Sequence, residues 1–117
     1  MAGVNFIRGG VYLARLDPVK GAEVGKCRPV VLLTDQSLLD IKPPHIFICP
    51  LSSQSDPAYQ VLHVKLPARD NLRVESYALS EHCRSISIRR IQVERLAQLD
   101  SGEIMQIIHR LQRLVGL

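Results

Sequence analysis

The chain of 117 residues has no tryptophan, and only 4% of its residues are aromatic. A surface that stacks several nucleobases is therefore not expected, because such surfaces are built from aromatic rings. The three cysteines are an odd set without CxxC spacing. This pattern favours free thiols in a reducing compartment over a disulfide framework or a zinc site. The four histidines show no metal-ligand spacing, so we expect neither a metal nor a cofactor.

Long apolar runs and familiar catalytic loops are also missing. No stretch approaches the roughly 18 apolar residues that span a bilayer, and residues 1–10 contain no apolar signal-peptide core. We therefore expect a cytoplasmic protein that does not enter the membrane. Neither GxGxxG, nor a Walker loop, nor GxSxG is present, so the sequence gives no sign of the nucleotide-binding and hydrolase sites that those motifs indicate.

The composition that remains is that of a small globular protein. Hydrophobic residues make up 46% of the chain, and its length suits one domain over residues 1–117 with a real core. The formal net charge is +4. This excess of positive charge weakly favours a polyanionic partner.

Alternating apolar residues predict a series of short strands, mostly antiparallel and separated by turns rich in proline, glycine and small polar residues. The predicted strands cover residues 6–16, 29–34, 45–51, 61–66, 75–79 and 82–88. A short helical turn is expected within 35–42, and a turn or helix of mixed character over 90–99. The loop over 19–26 and the basic excursion over 67–73 join strands.

The C-terminal segment has the strongest periodicity in the chain. Asp100 and Glu103 have the spacing of a capping box. The residues that follow place apolar side chains at helical spacing, among them Ile104, Ile107, Ile108 and Leu111. These patterns together predict an α+β fold, a small barrel-like antiparallel sheet closed by a C-terminal amphipathic helix.

Residues 21–31, GAEVGKCRPVV, are the stretch around which the functional interpretation is built. The glycines permit tight turns, and Pro29 favours an extended conformation for the residue before it. Arg28 is therefore expected at the mouth of a strand, beside a flexible loop. A guanidinium held in this way suits phosphate binding, although a surface arginine before an edge strand would give the same pattern.

Two other polar groups are candidates for chemistry. One is the pair Ser52 and Ser53 at a predicted strand end, and the other is the stretch 81–85, EHCRS. Each has an ordinary structural interpretation as well. Serines form hydrogen bonds within turns, His82 fits the edge of a strand, and Arg84 fits an ion pair.

Taken together, these stretches resemble the MazF/PemK (Kid-like) toxin endoribonucleases of bacterial toxin–antitoxin modules. The resemblance covers about residues 8 to 113. The motifs that carry it, in order along the chain, are EVGKCRPVV at 23–31, PLSSQ at 50–54, ESYAL at 75–79, CRSI at 83–86 and RRI at 89–91. The Gly-x-x-Arg-Pro-Val-Val core is fairly specific.

The resemblance implies an SH3-like or CcdB-like barrel that forms a homodimer. Such toxins cut single-stranded RNA without a metal, leave 2′,3′-cyclic phosphate and 5′-hydroxyl ends, and are blocked by a cognate antitoxin. Arg28 and Ser52 correspond to the family's catalytic pair, with Ser53 a close rival and His82 a possible proton-transfer group. The residues expected to contact substrate are Glu23, Gly25, Lys26, Pro29, Gln54, Arg69, Arg73, Arg84 and Ser85.

Two positions depart from the family pattern, and they keep other functions open. His82 stands where many relatives carry glutamine, and Ser87 where many carry aspartate. One alternative is a CcdB-like toxin that binds a protein such as DNA gyrase and cleaves nothing. The Arg28-Pro29 step argues against that alternative, because such a toxin needs no phosphate clamp. Another alternative is a catalytically silent RNA-binding or interaction module.

Overall fold

The computed structural model describes residues 5–16 and 26–117. The strands are β1 (Gly10–Arg15), β2 (Cys27–Leu32), β3 (His45–Ser52), β4 (His63–Leu66), β5 (Ser76–Leu79), β6 (Arg84–Ser87) and β7 (Ile91–Gln98), and the helices are α1 (Gln36–Leu39) and α2 (Ser101–Leu114). Short 3₁₀ turns occupy Pro57–Leu62, Ser80–His82 and Ile88–Arg90.

The strands form one antiparallel sheet in the order β4-β5-β3-β2-β1-β7, with β6 paired to β3 beside this path. Strand β3 pairs with β6 through its first half and with β5 at its end, so the sheet divides along this strand. Among the described residues no ladder joins β4 to β7. The α+β class is confirmed, whereas the predicted closed barrel is wrong.

Helix α2 covers one face of the open sheet. Ile104 and Ile107 are buried in one core cluster with Val31, Leu51 and Leu66. A second cluster, which includes Val30, Ile46 and Ile48, fills the other face. The sheet therefore buries both faces without becoming a barrel.

Strand β7 corrects the expectation of a turn or helix over 90–99. It pairs with β1, and the register shifts twice between Val11 and Ala14. These irregularities change which side chains face inward. Ile91 packs in one core cluster and Ala97 in the other, although an unbroken strand would place both on one face. The mixed spacing that suggested a helix follows from these shifts.

The predicted start of α2 is confirmed. The Asp100 side chain accepts a hydrogen bond from the Glu103 N–H (2.8 Å), and the Glu103 carboxylate accepts one from the Asp100 N–H (3.1 Å). This capping box satisfies N–H groups that the first turn of a helix leaves unpaired. Farther along, Ile108 and Leu111 are only partly buried, which is less than their helical spacing suggested.

Local signals also place the smaller elements. Asp35 caps α1, within the segment expected to form a helical turn, by accepting a hydrogen bond from the Ser37 N–H (3.1 Å). The strand expected over 61–66 begins only at His63, because Asp56 and Pro57 start a 3₁₀ turn that runs to Leu62. None of the helices in the described ranges is long and apolar enough to cross a bilayer.

Candidate functional site

Two prolines shape the site by ending the ladder between β2 and β3. Val30 lies opposite Pro50, and the pairing of these strands stops there. Neither Pro29 nor Pro50 has an N–H to donate, so the hydrogen-bonded ladder does not extend past them. Extending the same register by two residues brings Arg28 opposite Ser52. The two strands therefore part beyond Val30 and Pro50, next to Arg28 and Ser52.

Arg28 and Ser52 line a common cleft of about 310 Å³, called the Arg28 cleft below. Ser53 and Pro29 contribute to its wall. Lys26 lies at its rim with a φ of 61°, in the left-handed region that residues other than glycine rarely adopt. The structure thus brings together Lys26, Arg28, Pro29, Ser52 and Ser53, all predicted from sequence.

The two serines differ in how they are held. Ser52 is partly buried, and its Oγ accepts a hydrogen bond from the backbone N–H of Gln54 (3.1 Å). The Ser52 hydroxyl hydrogen is then directed away from this turn and remains able to donate. Ser53 is exposed. Of the two, Ser52 has the better fixed oxygen.

Ser52 also lines a second, larger cleft of about 780 Å³, called the His82 cleft below. Gln54 and His82 line it with Ser52, as does Tyr59, which is 50% exposed. Ser52 therefore lies where the two clefts meet. Arg28 is on one side of it and His82 on the other.

Ser55, His63 and Glu81 form a hydrogen-bonded trio in the wall of the His82 cleft, which the sequence did not predict. His63 Nδ1 lies 2.7 Å from Ser55 Oγ, and His63 Nε2 lies 2.7 Å from Glu81 Oε2. The His63 side chain is only 2% exposed. The sequence carried no signal for this trio, because its members are 8 and 18 residues apart and meet through the β4–β5 pairing.

Arg69 has a structural partner. Its guanidinium forms two parallel hydrogen bonds to the Glu103 carboxylate at the start of α2. The guanidinium is the main reason that the pKa of Glu103 lies below its ordinary value, and the carboxylate in turn raises the pKa of Arg69. A role for Arg69 in phosphate binding stays a prediction, alongside this ion pair between the 67–73 excursion and the helix.

The other predicted substrate contacts lie in three different places. Arg73 is exposed between Leu72 and Val74, two residues of the Arg28 cleft. Arg84 and Ser85 lie in β6, opposite Ile48 and Phe47 of β3, at some remove from Ser52. Glu23 and Gly25, with most of the predicted loop over 19–26, lie outside the described residues. The Leu16 N–H donates a hydrogen bond to the Lys26 carbonyl (2.8 Å).

A third cleft of about 420 Å³ extends the basic character of the site. Lys26 and Cys27 belong to both this cleft and the Arg28 cleft, and Arg15, Arg89 and Arg90 line the remainder. In the sequence, Arg89 and Arg90 stand out only as part of the RRI motif. No local pattern indicates that β1 and the turn after β6 bring these cations together beside Lys26.

Cys49 is unsuited to a catalytic role. Burial, aided by the neighbouring Cys83 thiol, raises the pKa of the Cys49 thiol well above its ordinary value, so Cys49 is a poor nucleophile. Over residues 5–16 and 26–117, no group of three or more histidine, cysteine or acidic side chains is arranged to hold a metal ion.

Ser87, at the position that departs from the family pattern, caps the following turn by accepting a hydrogen bond from the Arg89 N–H (3.3 Å).

Known families and structures match nearly the whole chain. Residues 7–115 match the family described as PemK-like, MazF-like toxin of type II toxin–antitoxin system. The structure is similar to that of MazF from Deinococcus radiodurans, with 25% sequence identity, a TM-score of 0.79 and coverage of 94% of this chain and 96% of that one.

Complexes are among the similar structures. A MazE–MazF complex from Deinococcus radiodurans matches with 25% identity, a TM-score of 0.73 and 97% coverage of both chains. An endoribonuclease in complex with its cognate antitoxin, from a mycobacterial species, matches with 14% identity, a TM-score of 0.71 and 95% coverage of both chains. At that identity the last match shows a shared fold alone.

Proposed function

The chain belongs to the PemK-like, MazF-like toxins of type II toxin–antitoxin systems, and from this membership we propose that it is a metal-independent endoribonuclease. It cuts single-stranded RNA at short sequence motifs in the cytoplasm and leaves 2′,3′-cyclic phosphate and 5′-hydroxyl ends. A homodimer is the active form, and a cognate antitoxin blocks it. The MazE–MazF complex of Deinococcus radiodurans supports the antitoxin as a partner.

One observation carries this proposal: Arg28 and Ser52 line one cleft, just beyond Val30 and Pro50, the last pair of β2 and β3. A guanidinium offers two parallel N–H donors in a geometry that matches two phosphate oxygens. A hydroxyl beside it can donate to a third oxygen. The site is therefore built for a phosphodiester.

The reaction is an attack by the RNA's own 2′-oxygen on the adjacent phosphorus. The 2′-O–P bond forms as the P–O5′ bond breaks, the 2′-hydroxyl loses its proton and O5′ gains one. Arg28 binds the non-bridging oxygens and stabilises the charge that develops on them. Ser52 passes its proton to the leaving O5′ and regains one from water, or it donates a hydrogen bond to the phosphate while water protonates O5′.

Arg28 is unsuited to removing the 2′-hydroxyl proton, because a guanidinium stays protonated at physiological pH. His82 is better suited, since it shares the larger cleft with Ser52 and imidazoles exchange protons near neutral pH. We therefore assign His82 as the general base. Lys26 and Arg73 contact the flanking phosphates, which position the strand without reading its sequence.

The direct test is cleavage of a long single-stranded RNA in EDTA by the antitoxin-free protein, with the new ends mapped. We expect discrete cuts with cyclic-phosphate and 5′-hydroxyl ends. Arg28→Ala should lower the rate about 10²–10³-fold, the usual cost of removing a donor that stabilises a transition state. An RNA with a single 2′-deoxynucleotide at the cut should resist cleavage there, because its nucleophile is missing.

Arg113→Ala is the matched control, because Arg113 is an exposed arginine in the last turn of α2. It should cleave at the wild-type rate. Both variants are compared with wild type by circular dichroism and gel filtration, so that loss of folding or dimerisation is not mistaken for loss of chemistry. Absence of cuts by a folded, dimeric wild-type protein over RNAs that cover all short motifs would overturn the enzyme proposal and favour a toxin that binds a protein target.

A further inference from the structure

The trio Ser55, His63 and Glu81 joins two segments that carry proposed catalytic groups. Ser55 lies three residues after Ser52, and Glu81 directly precedes His82. His63 is the first residue of β4, where pairing places it opposite Leu79, at the end of β5 and just before the turn that holds Glu81. One buried imidazole thus reaches both sides of the His82 cleft.

The hydrogen bonds fix the orientation of the ring. A carboxylate oxygen only accepts hydrogen bonds, so His63 Nε2 carries the hydrogen that Glu81 Oε2 receives. In the neutral ring Nδ1 is then the acceptor, and the Ser55 hydroxyl donates to it. Both ring nitrogens are used, and each is bonded to a group from a different segment.

Glu81 depends on this arrangement. Its other oxygen, Oε1, is buried and has no hydrogen-bond partner among the described residues. Leaving a buried carboxylate oxygen unpaired is costly. The bond from His63 is therefore the one that holds the carboxylate in place, and with it the turn that ends at His82.

We infer that His63 is a positioning residue: it holds the segment that carries Ser52 against the turn that carries His82. The inference rests on the proposed function, because the geometry it maintains is that of the two groups assigned to proton transfer. A misplacement of about 1 Å between reacting groups can cost about 10²-fold in rate. The His63 side chain lies in the wall of the His82 cleft with only 2% of its surface exposed, so we assign it to positioning and not to contact with the substrate.

Two substitutions of His63 each keep one of its two hydrogen bonds and remove the other. The amide of glutamine can take the place of Nε2, so His63→Gln keeps a bond to Glu81 and loses the one to Ser55. The shorter asparagine can take the place of Nδ1, so His63→Asn keeps the bond to Ser55 and loses the one to Glu81. Ser55→Ala removes the Ser55 side alone. The control is His45→Gln. His45 is exposed at the start of β3, about 23 Å from Ser52 at the other end of the strand, at about 3.3 Å per residue.

The first measurement is RNA cleavage by the antitoxin-free protein at saturating and limiting substrate. We expect Ser55→Ala and His63→Gln to lower kcat by about 10-fold to 10²-fold with KM nearly unchanged, and His45→Gln to match wild type. Folded variants that keep the wild-type kcat would overturn the inference, since a purely structural histidine would alter stability alone.

The second measurement does not depend on cleavage, so it separates this inference from the proposed function. Nitrogen-15 spectra of the histidine rings should show a hydrogen on Nε2 of His63, the atom that donates to Glu81. Ser55→Ala should shift the amide signals of both Ser52 and His82, whereas shifts confined to Ser55 and its neighbours would contradict the coupling. Covalent labelling of Ser55 by a fluorophosphonate would also overturn the assignment, because it would identify the trio as an activated serine nucleophile.

Discussion

Arg28 and Arg69 occupy contrasting surroundings in the same small protein. Arg28 lies near the start of β2 and lines a cleft with three serines, Ser52, Ser53 and Ser76. Arg69 lies against the start of α2, where the Glu103 carboxylate takes two of its N–H groups and both side chains are largely buried, at 21% and 15% exposure. The sequence analysis had assigned both arginines to RNA.

The difference shows that neighbours, more than residue type, decide what a cation does. Arg69 meets a carboxylate whose position a capping box has already fixed. Its hydrogen bonds therefore hold a loop to a helix. Arg28 lines a cleft with Ser52, beside Pro29, where a phosphate from outside can bind.

The largest expected effect is at His82. His82→Gln keeps a side chain that can form hydrogen bonds but cannot exchange a proton near neutral pH. If His82 is the general base, kcat should fall about 10²–10⁴-fold. Initial rates on an RNA cut at one site provide the measurement, and the folded dimer should be unchanged.

A His82→Gln variant within threefold of wild type would contradict the base assignment. Together with a slow His82→Ala variant, it would identify His82 as a binding contact that glutamine replaces. The cleft would then keep its phosphate site but lose its assigned base. This outcome would change only the assignment of the general base, since Arg28 and Ser52 are tested separately.

The next largest effect separates Ser52 from Ser53. Ser52→Ala should lower kcat about 10²-fold, because its oxygen is fixed by the Gln54 N–H and its hydrogen is available to the substrate. Ser53→Ala should change kcat less than threefold, since Ser53 is exposed. Each serine is the control for the other, and the reverse order of effects would transfer the catalytic role to Ser53.

The sequence predicted best those features whose signals are local. The capping box at Asp100 and Glu103 and the helical turn within 35–42 each need only a few adjacent residues, and both were predicted correctly. The proximity of Arg28 and Ser52 followed from resemblance to a family. The structure adds the reason, which is the register of β2 and β3 and the prolines that end it.

Features that depend on distant pairing were not predictable in this way. Strand β7 was missed because its partner β1 lies some eighty residues earlier and the register shifts interrupt its alternation. The bonds of His63 to Ser55 and Glu81, and the meeting of Arg15 with Arg89 and Arg90, likewise depend on tertiary contacts. No spacing rule along the chain signals them.

At the helix junction we expect a smaller effect, on stability. Glu103→Gln removes the carboxylate that holds Arg69 and should lower the free energy of unfolding by about 1–3 kcal/mol at neutral pH, the range for hydrogen bonds to charged groups. Urea denaturation measures it. The cleavage rate of the folded variant should stay within threefold of wild type, and a larger loss would place this junction in the RNA site.

The same pair gives a pH dependence of known sign. Arg69 holds the pKa of Glu103 below its ordinary value in the folded protein. The ion pair therefore stabilises the folded protein at neutral pH. This stabilisation is lost as the pH falls below about 4 and passes through the lowered pKa of Glu103 in the folded state. Glu103→Gln should make the stability curve flatter on this acid side, and an unchanged curve would contradict the role of the ion pair.

The smallest effect is expected at Leu111, on the far part of α2. Truncation of a fully buried leucine to alanine costs about 2–5 kcal/mol. Leu111 is only partly buried against the core cluster, so we expect Leu111→Ala to lower the free energy of unfolding by about 1–2 kcal/mol.

Met105→Ala is the matched control, because Met105 is 45% exposed on the same helix and methionine and alanine are both good helix formers. Its urea midpoint should hardly change. A neutral midpoint for Leu111→Ala would overturn the packing of this helical turn. A loss of 3 kcal/mol or more that grows with protein concentration would instead mean that a second copy of the chain completes the burial of Leu111, because stability linked to association depends on concentration.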